Sequence, residues 1–125
     1  MADIQARLQV LSEEYTKLQK DLGDVVQSRQ KLEAQKQENL GVQTEFSKLK
    51  DGETIYKLIG PVLLKEDRGD AESTVKGRLE FITKEIIRLE TQIKDVQVKM
   101  EAKKGEIIQI QTAAQTGPGV QAAQA

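Results

Sequence analysis

Side chains able to do covalent chemistry are sparse in this 125-residue chain. It has no histidine and no cysteine, so the imidazole base, thiol nucleophiles, disulfides and the usual zinc ligand sets are all missing. A Ser–Lys couple or a pair of carboxylates remains, and either must converge in a pocket to act as nucleophile or acid and base. No GxxxxGK[ST] run leads into a helix, so neither a phosphate cradle nor ATP chemistry is expected. The densest acidic group, Glu66, Asp67, Asp70 and Glu72, offers oxygen ligands suited to calcium but lacks the alternating spacing and closing glutamate of an EF-hand. Loop solvation and favourable charge at the start of the next helix account for it better. Arg68-Gly69-Asp70 matches a tripeptide read by adhesion receptors, yet no secretion signal accompanies it. The chain reads as a non-enzyme with no cofactor and no metal.

The chemistry that remains is apolar contact, and two sets of residues can supply it. Met1, Ile4, Leu8, Val10 and Leu11 near one end of the chain, with Ile107, Ile108 and Ile110 near the other, would form an apolar surface suited to polypeptide without fixed shape. The plainer reading is that a helical seam runs to its end there, and scattered exposed apolar residues need no explanation. The pattern alone does not choose between the two. The second set is Ile55, Tyr56, Leu58, Ile59, Val62, Leu63 and Leu64 in mid-chain, with Phe81 and Ile87 beyond them.

Two long periodic segments must position these sets. Apolar residues fall alternately four and three apart at Ile4, Leu8, Leu11, Tyr15, Leu18, Leu22 and Val25, the spacing of a coiled-coil seam. The same register then meets Arg29, Leu32, Lys36 and Asn39, and apolar residues resume at Leu40, Val42, Phe46 and Leu49 with the shifted phase of a stutter. The later segment is cleaner: Val75, Leu79, Ile82, Ile86, Leu89, Ile93, Val96, Met100, Lys103, Ile107 and Ile110 keep the spacing, with Lys103 its single polar member. Each segment is about 60 to 68 Å long at 1.5 Å per residue, and a helix with one stripe must pair to bury it. Pairing with each other, antiparallel, would set Leu11 near Ile110 and Val25 near Val96, with both chain ends at one tip.

The connector carries strand signals. Asp51-Gly52 opens it, Thr54 to Ile59 is β-branched and apolar, Gly60-Pro61 punctuates, Val62 to Lys65 follows, and Glu66 to Asp70 reads as a turn. A lone hairpin is marginal in water, and two slender helices cannot cover seven apolar side chains, so pairing with strands of other chains is expected. The expected fold is mainly α, a long antiparallel two-helix coiled coil with one β-hairpin at the connecting end. Its parts are a helix over 3–49, a hairpin over 53–66, a helix over 71–112, and a disordered tail over 113–125 with no charge and a Gly-Pro-Gly run. Aromatic residues at 3% argue against a broad globular core, and a net charge of -1 with no strongly basic region argues against nucleic acid. No 18-residue apolar run is present, so a soluble, cytoplasmic protein off the membrane is expected.

The connector and second helix resemble prefoldin subunits of the beta type. The stretches that carry the likeness are Ile55-Tyr56-Lys57-Leu58-Ile59-Gly60-Pro61-Val62-Leu63-Leu64-Lys65, then Thr74-Val75-Lys76-Gly77-Arg78-Leu79-Glu80-Phe81-Ile82 and Glu85-Ile86-Ile87-Arg88-Leu89-Glu90. Asn39, Val42, Glu45, Phe46 and Leu49 fit as well. The resemblance implies a hetero-hexamer of alpha- and beta-type subunits, in which the hairpins build a double β-barrel platform. It further implies that coiled-coil tips hold unfolded actin and tubulin without ATP and pass them to the cytosolic chaperonin. On that view residues 55–64 join the platform and the helix ends meet clients. The alternative from another class is a coiled-coil scaffold or tether that docks through its hairpin and has no affinity for unfolded protein.

Overall fold

Leucine, isoleucine, glutamine, glutamate and lysine at a four-three spacing favour continuous helix, and no proline interrupts either periodic run. The computed structural model describes residues 2–115. It places α1 over Ala2–Lys48, β1 over Ile55–Ile59, β2 over Val62–Glu66 and α2 over Arg68–Gln115. The fold is two long helices with one antiparallel hairpin between them, as the patterning predicts. The chain divides into two units. One holds Ser28–Leu89; the other joins the residues up to Gln27 with those from Glu90 onward.

In the unit of residues 28–89, Ala71, Val75, Ile82, Ile86 and Leu89 of α2 are buried. On α1 Arg29, Leu32, Lys36 and Asn39 are half-buried, as are Glu33, Leu40 and Phe46, while Gln43, the next position of the unshifted spacing, is exposed. Val42 is exposed as well. The seam thus runs through polar residues at Arg29, Lys36 and Asn39 before the apolar Leu40 and Phe46. Long aliphatic stems let Arg29 and Lys36 cover apolar surface while their charges stay in water.

The boundaries of the connector also differ from expectation. The first helix stops at Lys48; the Leu49 amide donates to the Phe46 carbonyl at 3.2 Å, and a turn closes from the Glu53 amide to the Lys50 carbonyl at 3.1 Å, with Gly52 at φ 88°. A positive φ at the third turn position is the glycine signature of a type II turn. The second helix begins at Arg68, three residues earlier than expected. Asp67 caps it: its Oδ2 accepts from the Asp70 amide at 3.1 Å while its carbonyl accepts from the Ala71 amide at 3.0 Å. The residues read as a loop turn are thus a cap and first helical turn. At the other end α2 reaches Gln115, because Ala113, Ala114 and Gln115 are good helix formers. The expectations for Met1 and for the tail beyond Gln115 lie outside the described residues.

Within the hairpin Ile55 pairs with Glu66, Tyr56 with Lys65, Lys57 with Leu64, Leu58 with Leu63 and Ile59 with Val62. Gly60, at φ 57°, and Pro61, whose ring fixes a negative φ, make the two-residue turn with the sign pattern of type II′, which matches strand twist. Arg68 secures the hairpin's exit: its guanidinium donates to the Phe46 carbonyl at 3.0 Å and to Glu72 at 2.9 Å. It thereby adds a second donor to a carbonyl at the end of α1 and ties that end to the start of α2.

In the other unit the helices also run antiparallel. Lys103 Nζ lies 2.6 Å from Glu14 Oε2, and Leu11 shares a groove with Glu106. Glu106 stands one helical turn before Ile110 on α2. No helix among the described residues is long and apolar enough to cross a membrane.

Two outcomes follow. Gly60→Ala forces a side chain into a left-handed turn at about 1 to 2 kcal/mol, so hydrogen exchange at the strand amides speeds up about 5- to 30-fold. The Glu14 carboxylate holds the Lys103 ammonium above the usual lysine range, chiefly by a hydrogen bond and against partial burial. A pKa raised by folding stabilises below the unfolded value and is lost as pH rises through the folded one. The urea midpoint should therefore fall above about pH 10.4, and Lys103→Met should abolish this part of the fall.

Candidate interaction surfaces

The hairpin is anchored at its base. Ile55 and Glu66 are half-buried, and a groove lined by Ile55, Tyr56, Lys57 and Glu66 from the hairpin and by Val42, Phe46, Ala71, Val75 and Arg78 from the helices holds them. Beyond that base nothing among the described residues covers it. Tyr56, Leu58, Ile59, Val62, Leu63 and Leu64 are exposed, Leu58 at 68%. Side chains alternate between faces, so Tyr56, Leu58 and Leu63 lie on one face and Ile59, Val62 and Leu64 on the other. Phe81, on α2, is 63% exposed. All the residues expected to serve assembly therefore fall in this one unit, and all but Ile55 present their side chains to solvent.

The residues near the helix ends separate into two groups. Ile4, Leu8, Ile107 and Ile110 are half-buried and Leu11 is buried at 8% exposure, so these five contribute to the seam between α1 and α2. Val10 and Ile108 are exposed, and Val10 sits beside Ala6, Arg7, Leu11 and Glu106 in a shallow groove. Val98 adds to them: at 69% it is the most exposed of the large apolar residues described, with Lys94, Gln97 and Glu101 around it.

The charged groups are structural. Arg88 donates to Glu85 at 2.8 Å and holds that carboxyl below the usual range. Of the acidic cluster, Asp67 caps α2 and Glu72 pairs with Arg68, and no group of three or more potential metal ligands gathers among the described residues. Arg68, Gly69 and Asp70 form the first turn of α2 rather than a projecting loop.

The sequence profile of the prefoldin subunit family matches residues 9–114. The chain belongs to the prefoldin subunit family. It is 44% identical to prefoldin subunit 6 of Bos taurus over 108 residues, covering 86% of this chain and 84% of that protein. Prefoldin subunit 6 of Saccharomyces cerevisiae is 44% identical over 110 residues, covering 87% and 96%. The crystal structure of the prefoldin beta subunit from Thermococcus strain KS-1 has the same fold, with a TM-score of 0.77 and 24% identity over 90% of this chain and 95% of that one.

Two features of this prefoldin chain escape a reading by periodicity. Val98 lies off the seam between Val96 and Met100, where an isolated valine in a polar stretch gives no signal until its exposure is known. Lys103 interrupts an apolar register, and that interruption is the sign of a polar partner on the facing helix. The division between seam and surface can be measured. Leu11→Ala should cost about 2 kcal/mol or more of stability in urea melts, while Val10→Ser and Ile108→Ser should stay within about 0.5 kcal/mol of the parent.

Proposed function

We propose that this chain is a beta-type subunit of a hexameric prefoldin and that it holds unfolded protein without ATP. Its hairpin residues Ile55, Tyr56, Leu58, Ile59, Val62, Leu63 and Leu64, with Phe81, join it to alpha- and beta-type partners. The observation that carries this reading is the hairpin's exposure on both faces, which no other part of the described residues relieves. Such a surface costs about 25 cal/mol for each Å² left in water, and burial against partners removes that cost.

Client contact falls to the surface of the other unit, at Val10, Val98 and Ile108. Ile4, Leu8, Leu11, Ile107 and Ile110 hold the helices that present it. Each contact is small, and affinity for an unfolded chain comes from several subunits engaging one client at once. Clients on this reading are unfolded actin and tubulin, the acceptor is the cytosolic chaperonin, and the site of action is the cytoplasm. No covalent step enters the cycle.

The test is suppression of aggregation of a denatured protein by the purified hexamer, with and without ATP. Replacing Val10, Val98 and Ile108 together with serine should leave the hexamer intact and lower suppression several-fold, with ATP making no difference. An intact hexamer with unchanged suppression would remove the client surface from this unit. A hexamer with no suppression at all in the parent would favour a scaffold that only tethers.

A further inference from the structure

A strand pair that lines one side of an intermolecular sheet needs apolar side chains on a single face, because successive residues point to opposite faces. This hairpin departs from that rule. Tyr56, Leu58 and Leu63 share one face and Ile59, Val62 and Leu64 the other, and all six are exposed. A sheet built only from hairpins would bury one set and leave the other in water.

The same unit carries a second uncovered apolar surface. Phe81 stands beside Ile82, Gly77, Arg78, Gln35 and Asn39 in a groove between α2 and α1. A Cβ at Gly77 would meet nothing within 4 Å, so the floor next to the Phe81 ring is open. Arg78 also lines the groove at the hairpin's base together with Tyr56, which makes the helix surface continuous with the hairpin surface. The polar rim is suited to a particular occupant. A buried tyrosine brings a hydroxyl that needs a partner, and Gln35, Asn39 and Arg78 offer an amide carbonyl, amide donors and a guanidinium.

We propose that the Phe81 groove receives the hairpin of an adjacent prefoldin subunit, by the face that corresponds to Tyr56, Leu58 and Leu63, while Ile59, Val62 and Leu64 face the shared sheet. Each hairpin is then covered twice, by strands on one side and by a neighbour's helices on the other. The inference rests on the assembly reading above and adds the partner element that Phe81 meets. Tyr56 and Phe81 would form an aromatic pair across the interface, in the ring spacing of about 4.5 to 7 Å that such pairs favour.

The direct experiment places the photo-cross-linking residue p-benzoylphenylalanine at position 81 of the full chain, assembles the hexamer, irradiates it without client, and maps the products by mass spectrometry. Cross-links to the hairpin of a neighbouring subunit are expected. Cross-links to a neighbour's helices alone, cross-links formed only after a denatured protein is added, or an intact hexamer giving no inter-subunit product would each overturn the proposal while leaving assembly itself standing. Failure of the chain to enter a hexamer would overturn both readings. As a second measure, Phe81→Ser should preserve helicity by circular dichroism and raise the dissociation constant of the subunit from the hexamer by about tenfold; an unchanged constant would contradict the proposal.

Discussion

Two helices that each carry one apolar stripe can satisfy each other and have nothing left over for a third element. That constraint governs this chain. The buried side chains are few, Leu11 in one unit and Ala71, Val75, Ile82, Ile86 and Leu89 in the other, and every one of them lies on a helix. The hairpin between the helices is built with care, from a capped entrance to α2, an Arg68 bond to the end of α1 and a glycine turn, yet its large side chains meet solvent. Ordered strands with uncovered apolar faces make sense as half of an interface, and membership of a family of prefoldin subunits agrees with that.

Histidine and cysteine are missing from this chain, and several large apolar side chains are exposed. A protein that changes no bonds in its partner can still act on it by weak contact. Weak contact asks for apolar groups that are presented but not needed for folding. Val10, Val98 and Ile108 are exposed, whereas Leu11 is buried and its seam neighbours are half-buried. The ion pair between Lys103 and Glu14 has a separate part, since a single polar member in an apolar seam favours one register over its slipped alternatives.

Much of the fold was legible from spacing alone. All eleven positions of the later register, Val75 to Ile110, are buried or half-buried, including Lys103. The strands and the Gly60-Pro61 turn stand where β-branched residues and punctuation put them. Periodicity failed where a side chain's chemistry and its position disagree. Arg29 and Lys36 hold seam positions by their stems, which a count of apolar residues does not see. Asp67 looked like part of a loop because a cap and a turn draw on the same residue types. The interaction surfaces were legible as a set of apolar residues but not in their division. Exposure depends on which side of the helix the partner lies, and this separates Val10 from Leu11 although they are adjacent in the chain.

The most direct test of the central claim, that the hairpin is completed by other chains, is the native mass of this protein isolated gently from its own cell extract with its companions identified. The account predicts a particle of six small, related coiled-coil subunits, with no free pool of the monomer. A stable monomer, or a homodimer free of such companions, would contradict it.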